Sequence, residues 1–225
     1  MPVQEELIEF IKESLPFWNR LAEDEKNEII DTASLRMYSK GDYLHKGADD
    51  CAGILIVKEG QVRSFILSET GKEITLYRLF EGDICIFSAS CMKKNITFDV
   101  IAEAETDSEV LLIPTASYKR LNNSNIAVAD FTNQLISSRF SDVMWIMEQI
   151  LFMSFDQRLA IFLIEQSAIQ ESDDIHITHE NIAKNMGSAR EVVTRMLNYF
   201  QDEGIVELHR GGIKIIDRKR LEAMQ

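Results

Sequence analysis

Residues 178–216 read THENIAKNMGSAREVVTRMLNYFQDEGIVELHRGGIKII. Thr178 is a good N-cap, because its hydroxyl can accept from a first-turn amide. The spacing predicts a helix over His179 to Asn185, with Ile182 and Ala183 inward. Ala183 is small enough for a second helix to cross closely. Gly187 then stands where two crossing helices need a left-handed turn residue. Ser188 is expected to cap a second helix from Ala189 to about Asp202, with Val192, Val193, Met196, Leu197 and Phe200 on its buried side and Gly204 ending it. Ile205 to Leu208 and Ile213 to Ile216 read as two strands around a basic tip, His209-Arg210-Gly211-Gly212. Helix, glycine turn, helix and hairpin make a winged helix-turn-helix.

The exposed start of the second helix carries Arg190, Glu191, Thr194 and Arg195. In such motifs the first turn of the second helix enters the DNA major groove. An arginine there can donate two parallel bonds to guanine, and a glutamate can accept from cytosine. Arg190, Glu191 and Arg195 are therefore the expected base-reading residues. Thr178, Ser188, Thr194 and Arg210 are placed to bond phosphates, which position the protein without specifying sequence. An adjacent Arg-Glu pair by itself is more often a surface ion pair. The 39-residue frame around it is what points to DNA.

Outward from this stretch the texture changes twice. From Leu35 to Pro114, short apolar runs alternate with turn signals at Gly41, Gly47, Gly53, Gly60, Gly71 and Gly82. The runs are 54–57, 62–67, 74–80, 84–87, 97–102 and 110–113, and such spacing suggests an all-β sandwich or barrel. Residues 7–34 read as helical, broken near Pro16. Ser117 to Leu121 reads as a short helix. From about Asn125 to Met153 there is neither Pro nor Gly, so one long helix is expected. Ile136, Phe140, Val143, Met147 and Ile150 form a heptad seam on it. Phe131, Leu135, Trp145 and Ile146 give it a second apolar side. Such a helix needs two partners: the β domain and, most simply, the same helix of a second subunit. The chain is expected to be α+β, with domains 1–114, 115–153 and 154–225.

Composition fits a globular protein: 225 residues, 45% hydrophobic and 27% charged. No window approaches about 20 uncharged apolar residues, so no membrane span is expected. The acidic start, Glu5-Glu6, does not resemble a signal peptide. Three cysteines, Cys51, Cys85 and Cys91, are an odd number, which argues against a secreted disulfide framework. A cytoplasmic location is the expectation. No catalytic triad, metal-spaced cluster or phosphate-cradling glycine loop stands out, so no enzyme is expected. The histidines 45, 176, 179 and 209 have the spacing of ordinary surface residues.

The net charge of −13, from 24 Lys+Arg against 37 Asp+Glu, at first argues against a nucleic-acid binder. The charge is uneven, however. Residues 178–220 hold eight bases and six acids, whereas residues 1–150 hold 15 bases and 25 acids. The acid load sits on the β half. It leaves room for a second reading, a ligand-binding regulatory subunit whose winged helix contacts protein rather than DNA. A salt-dependent shift on the protein's own upstream DNA separates the two.

The order of helix, glycine-punctuated β domain, long helix and winged helix resembles the Crp/Fnr family of bacterial transcription regulators over nearly the whole chain. The most specific match is Gly187-Ser-Ala-Arg-Glu-Val-Val-Thr-Arg195, similar to the family's recognition-helix signature. Lys40-Gly41-Asp42, Lys58-Glu-Gly60 and Glu81-Gly-Asp83 look like its barrel turns. The resemblance implies a cyclic-nucleotide-binding-like, double-stranded β-helix (jelly-roll) sensor barrel and a homodimer. It also implies contact with a two-fold-symmetric operator and with RNA polymerase, with base reading by Arg190, Glu191 and Arg195.

The effector does not carry over. Family members that bind cyclic AMP have a Gly-Glu pair and later an Arg-Ser or Arg-Thr. Here no Gly-Glu follows the Gly82-Asp83 turn, and Ile96-Thr97 stands where Arg-Thr is needed. Isoleucine cannot neutralise a phosphate. Lys93 and Lys94 read as a solvated turn. The N-terminal cysteine cluster of the iron–sulfur relatives is absent too, and a lone His45 or Met92 is no sign of haem. No cofactor is assigned. An unidentified small-molecule effector is expected near Ile86, Phe87, Ile96, Thr97 and Phe98. Cys85 and Cys91 are the redox candidates, although buried structural thiols are the plainer reading of both.

Overall fold

The structure is a computed structural model that describes residues 2–46, 53–86 and 99–224. The chain divides into two units. One comprises Met1–Leu67 and Thr75–Asp142, the other Ser68–Ile74 and Val143–Gln225.

The first unit begins with helices α1 (Pro2–Ser14) and α2 (Glu23–Thr32). The strands are β1 (Ser34–Tyr38), β2 (Tyr43–Lys46), β3 (Gly53–Glu59), β4 (Val62–Leu67), β5 (Glu73–Leu79), β6 (Ile84–Cys85), β7 (Ile101–Ala104) and β8 (Ser108–Pro114). Among the described residues they form two four-stranded sheets, ordered β1-β8-β3-β6 and β2-β7-β4-β5. β3 is buried on both faces over Gly53–Val57, which is why its sequence is a continuous apolar run rather than an alternation. At Gly60, which ends β3, φ is +94° and an added Cβ would stand 2.6 Å from the Asp107 carbonyl oxygen, so no side chain fits.

Four of the six expected runs coincide with strands nearly residue for residue. Residues 84–87 reduce to β6 within the described part, and 97–102 to β7, shifted toward Ala104. β1 and β2 were not among the expected runs. β1 is exposed or half-buried throughout and lacks an apolar alternation, so nothing but its pairing with β8 makes it a strand. The helical reading of 7–34 is corrected at its end, because Ser34 already pairs with Leu112.

The core of this unit joins Ile54, Ile56, Leu111 and Ile113 of the sheet to Ile11 of α1, Ile29 of α2, and Leu15 and Trp18 of the segment between them. Helix α3 (Thr115–Ser124) contributes Tyr118 and Leu121. The long helix α4 (Ile126–Phe152) adds Ala127 and Val128, with Phe131, Leu135 and Ile136 packed on the same core. Its buried Thr132 hydroxyl is 2.8 Å from both the Tyr118 hydroxyl and the Val128 carbonyl oxygen, so these interior polar groups are satisfied. Burial raises the Tyr118 phenol above its ordinary pKa. Arg63, 3% exposed, pairs with Glu103 at 3.0 Å and lies over the Phe65 ring.

The second unit contains α5 (Phe155–Ile169), β9 (Asp174–Ile175), α6 (His179–Asn185), α7 (Arg190–Asp202), β10 (Val206–His209), β11 (Gly212–Ile215) and α8 (Arg218–Glu222). The strands form an antiparallel sheet ordered β10-β11-β9. Leu159 and Leu163 of α5, Ile182 of α6, Val193, Leu197 and Phe200 of α7, and Ile213 and Ile215 of β11 make one core. Among the described residues, no helix is long and apolar enough to cross a membrane.

Candidate nucleic-acid interface

α6 begins as its sequence predicts. The Thr178 hydroxyl accepts from the Asn181 amide at 3.1 Å, and Ile182 and Ala183 are buried. Gly187 has φ of +64° and an added Cβ would stand 2.6 Å from Ile74 Cγ1, so the turn needs glycine on both counts. The start of the second helix is corrected by one residue. Ala189, not Ser188, is the N-cap, and it makes no side-chain cap. The Ser188 amide instead donates to the Ala183 carbonyl at 3.0 Å, which tightens the turn and moves the helix start to Arg190.

α7 is strongly two-sided, because its apolar residues recur at three and four. Val193, Leu197 and Phe200 are buried, while Arg190, Glu191 and Arg195 are exposed. Arg190, Glu191, Thr194 and Arg195 line one shallow groove that continues along Asn198, Tyr199 and Asp202. The sequence reading missed Asn198 and Tyr199. Their positions, three and four residues beyond Arg195, were the available signal. It also missed His179, whose Nδ1 is 3.0 Å from the Thr194 hydroxyl. Burial, and then the Arg190 charge, hold the His179 imidazole below its ordinary pKa.

The wing is β10, a turn at Arg210–Gly211, and β11, with His209 opposite Gly212. His209 Nε2 lies 2.8 Å from Asp174 Oδ1, which ties the wing to β9. Arg210 is exposed at the tip. Charge commitment separates the basic residues. Arg218 pairs with Asp173, Arg220 with Glu203 at 2.9 Å and Lys184 with Glu73 at 3.2 Å. Among the described residues, Arg190, Arg195 and Arg210 make no salt bridge, and neither do Arg158, Lys214 and Lys219 of the same unit.

The remaining candidates lie elsewhere. Ile86, 5% exposed, is part of the first core, and Cys85 is a buried thiol at 2%. Phe87, Ile96, Thr97, Phe98 and Cys91 lie outside the described residues. On α4, Ile136 is half-buried against the first core and Val143 is half-buried, but Phe140, Met147 and Ile150 are exposed. Met144 and Leu151 are exposed beside them, so the apolar stripe is broader than the expected seam.

Two family models match the chain, a cyclic nucleotide-binding domain over residues 35–125 and a Crp-like helix-turn-helix domain over 157–224. A crystal structure of a Crp/Fnr-family protein from Eubacterium rectale is 49% identical, covers 95% of this chain and 99% of its own, and superposes with a TM-score of 0.92. The chain belongs to the Crp/Fnr family. It is thus a DNA-binding transcription regulator of the Crp/Fnr type, with the sensor and helix-turn-helix parts that its sequence led us to expect. Two further relatives are less similar to this chain. The Cyclic AMP receptor protein of Thermus thermophilus is 25% identical over 207 residues, 92% of this chain and 95% of its own length. The Transcriptional activator protein anr of Pseudomonas aeruginosa is 24% identical over 212 residues, 89% of this chain and 83% of its own.

Proposed function

We propose that this regulator acts in the cytoplasm as a homodimer joined along α4, and reads a two-fold-symmetric operator through Arg190, Glu191 and Arg195. Thr178, Ser188, Thr194 and Arg210 set its register on the phosphates. It works by binding and has no catalytic step. Its sensor domain responds to a small molecule or redox signal other than cyclic AMP, since Ile96 stands where the arginine that pairs a cyclic phosphate is needed. The effector shifts the balance between two arrangements of the paired α4 helices, and so the spacing of the two recognition helices. On the operator the dimer contacts RNA polymerase.

The observation that carries the DNA reading is the exposed groove at the start of α7, which Arg190 and Arg195 both line. Arg218 and Arg220 are each paired with an acid. Arg190 and Arg195 lie in the groove of α7 without one. Selection from a random DNA pool tests the proposal. The wild type should enrich two half-sites one helical turn apart. Arg190→Ala should cost about 1–3 kcal/mol and relax one position in each half. An unchanged base preference in the variant would remove Arg190 from the reading set.

A further inference from the structure

The contact between His179 and Thr194 has a consequence for DNA binding. It links the first residue of α6 to the exposed groove of α7, one turn beyond Arg190. His179 Nδ1 is occupied by Thr194, and its Nε2 makes no hydrogen bond among the described residues. A proton count separates the two charge states of this pair. With a neutral ring, histidine and threonine together hold two polar protons. One lies between them, so one remains to donate, whichever tautomer is present. With a cationic ring they hold three. Nδ1–H then donates to the threonine oxygen, and both Nε2–H and the Thr194 O–H become available for acceptors outside the pair. A phosphate offers acceptors only, and carries the charge that an imidazolium complements.

The charged groups of this neighbourhood are Arg190, Glu191 and Arg195 on α7, Glu180 and Lys184 on α6 itself, and Glu73, which Lys184 pairs. Arg190 is the one that acts on the ring, and it opposes a second cation beside it. A bound phosphate backbone reverses that balance by neutralising Arg190 and attracting the imidazolium.

We propose that His179, held by Thr194, takes up a proton when the operator binds, so that operator affinity rises as pH falls. This rests on the DNA reading above and extends it to regulation by pH. The sign follows from linkage. In the free protein the ring is neutral near pH 7, because burial and Arg190 depress its pKa. On DNA the phosphates raise it. Between the two values the complex holds more protons than the free protein, so acid favours the complex. The limit is about tenfold in affinity per pH unit for each proton taken up.

The test is a titration of the full chain with its selected operator duplex between pH 6 and 8, read by fluorescence anisotropy. It is paired with calorimetry at pH 7 in two buffers of different ionisation enthalpy. The wild type should bind more tightly at the lower pH and take up protons. His179→Gln should bind with a flatter profile and a smaller uptake. His179→Arg, which keeps the charge at every pH, should also be flat, but with the tighter binding. A pH slope and proton uptake unchanged in His179→Gln would overturn the inference while leaving the DNA reading intact. Failure of the wild type to bind any selected duplex at any pH would overturn both.

Discussion

Gly187 shows most directly how one residue sets the interface. Its φ of +64° belongs to the left-handed region, where an L side chain costs about 1–2 kcal/mol. A Cβ would also meet the Ile74 side chain. Gly187→Ala should therefore destabilise the second unit by at least that amount, as measured by urea denaturation followed by circular dichroism. Equal midpoints and slopes for variant and wild type would show that the turn relaxes without strain. Gly187 was legible in sequence, because a left-handed turn between two crossing helices leaves few alternatives. Ser188 misled for a physical reason. Serine is a good cap in isolation, but its amide is drawn into the bond with Ala183, and the cap position passes to Ala189. His179 was passed over because a histidine one position after an N-cap carries no pattern. Its bond to Thr194 spans 15 residues of sequence and exists only once α6 and α7 cross.

At the scale of elements, α7 and the wing differ in how legible they were. α7 was predicted to within one residue, since its apolar side recurs with helical period and its partner surfaces lie close in the chain. The wing hairpin was shifted by one residue in both strands. Short strands are defined by pairing, and Val206 opposite Ile215 sets the register. The wing's tip presents Arg210, and His209 anchors it through Asp174. A phosphate contact there is blind to sequence. Arg210→Ala should weaken binding to every duplex about equally and lower the slope of log affinity against log salt by about one. A variant with altered base preference would instead place Arg210 among the reading residues. In the β domain, β3 and β8 were legible as apolar runs, whereas β1 was not, because it borrows its regularity from β8.

For the whole molecule, the exposed face of α4 and the acidity matter most. Phe140 is 64% exposed and Leu151 is 64%, with Met144 and Met147 between them at helical spacing. Large apolar side chains in a row on one helix are costly to leave in water. A second copy of α4, as proposed, would cover such a stripe by the knobs-into-holes packing of a coiled coil. Phe140→Glu should shift the protein from dimer to monomer in sedimentation velocity at micromolar concentration and reduce operator affinity at least tenfold. An unchanged dimer would place the subunit interface elsewhere. The net charge of −13 has a complementary role. Under the proposed reading it would keep nonspecific attraction to DNA weak and leave binding to Arg190, Arg195 and Arg210 at a correct site.

By itself the sequence determined the β part, the long helix, and the helix-glycine-helix frame with its arginines. Each of these is written in local periodicity and local turn chemistry, which act between residues a few positions apart. Tertiary structure alone decided which strands exist at the sheet edge, where α7 starts, which bases are consumed by Glu73, Asp173 and Glu203, and which side chain holds Thr194. Apart from the start of α7, which the Ser188–Ala183 bond sets over five residues, those are contacts between residues far apart in the chain, and no local pattern encodes a partner that only packing brings near.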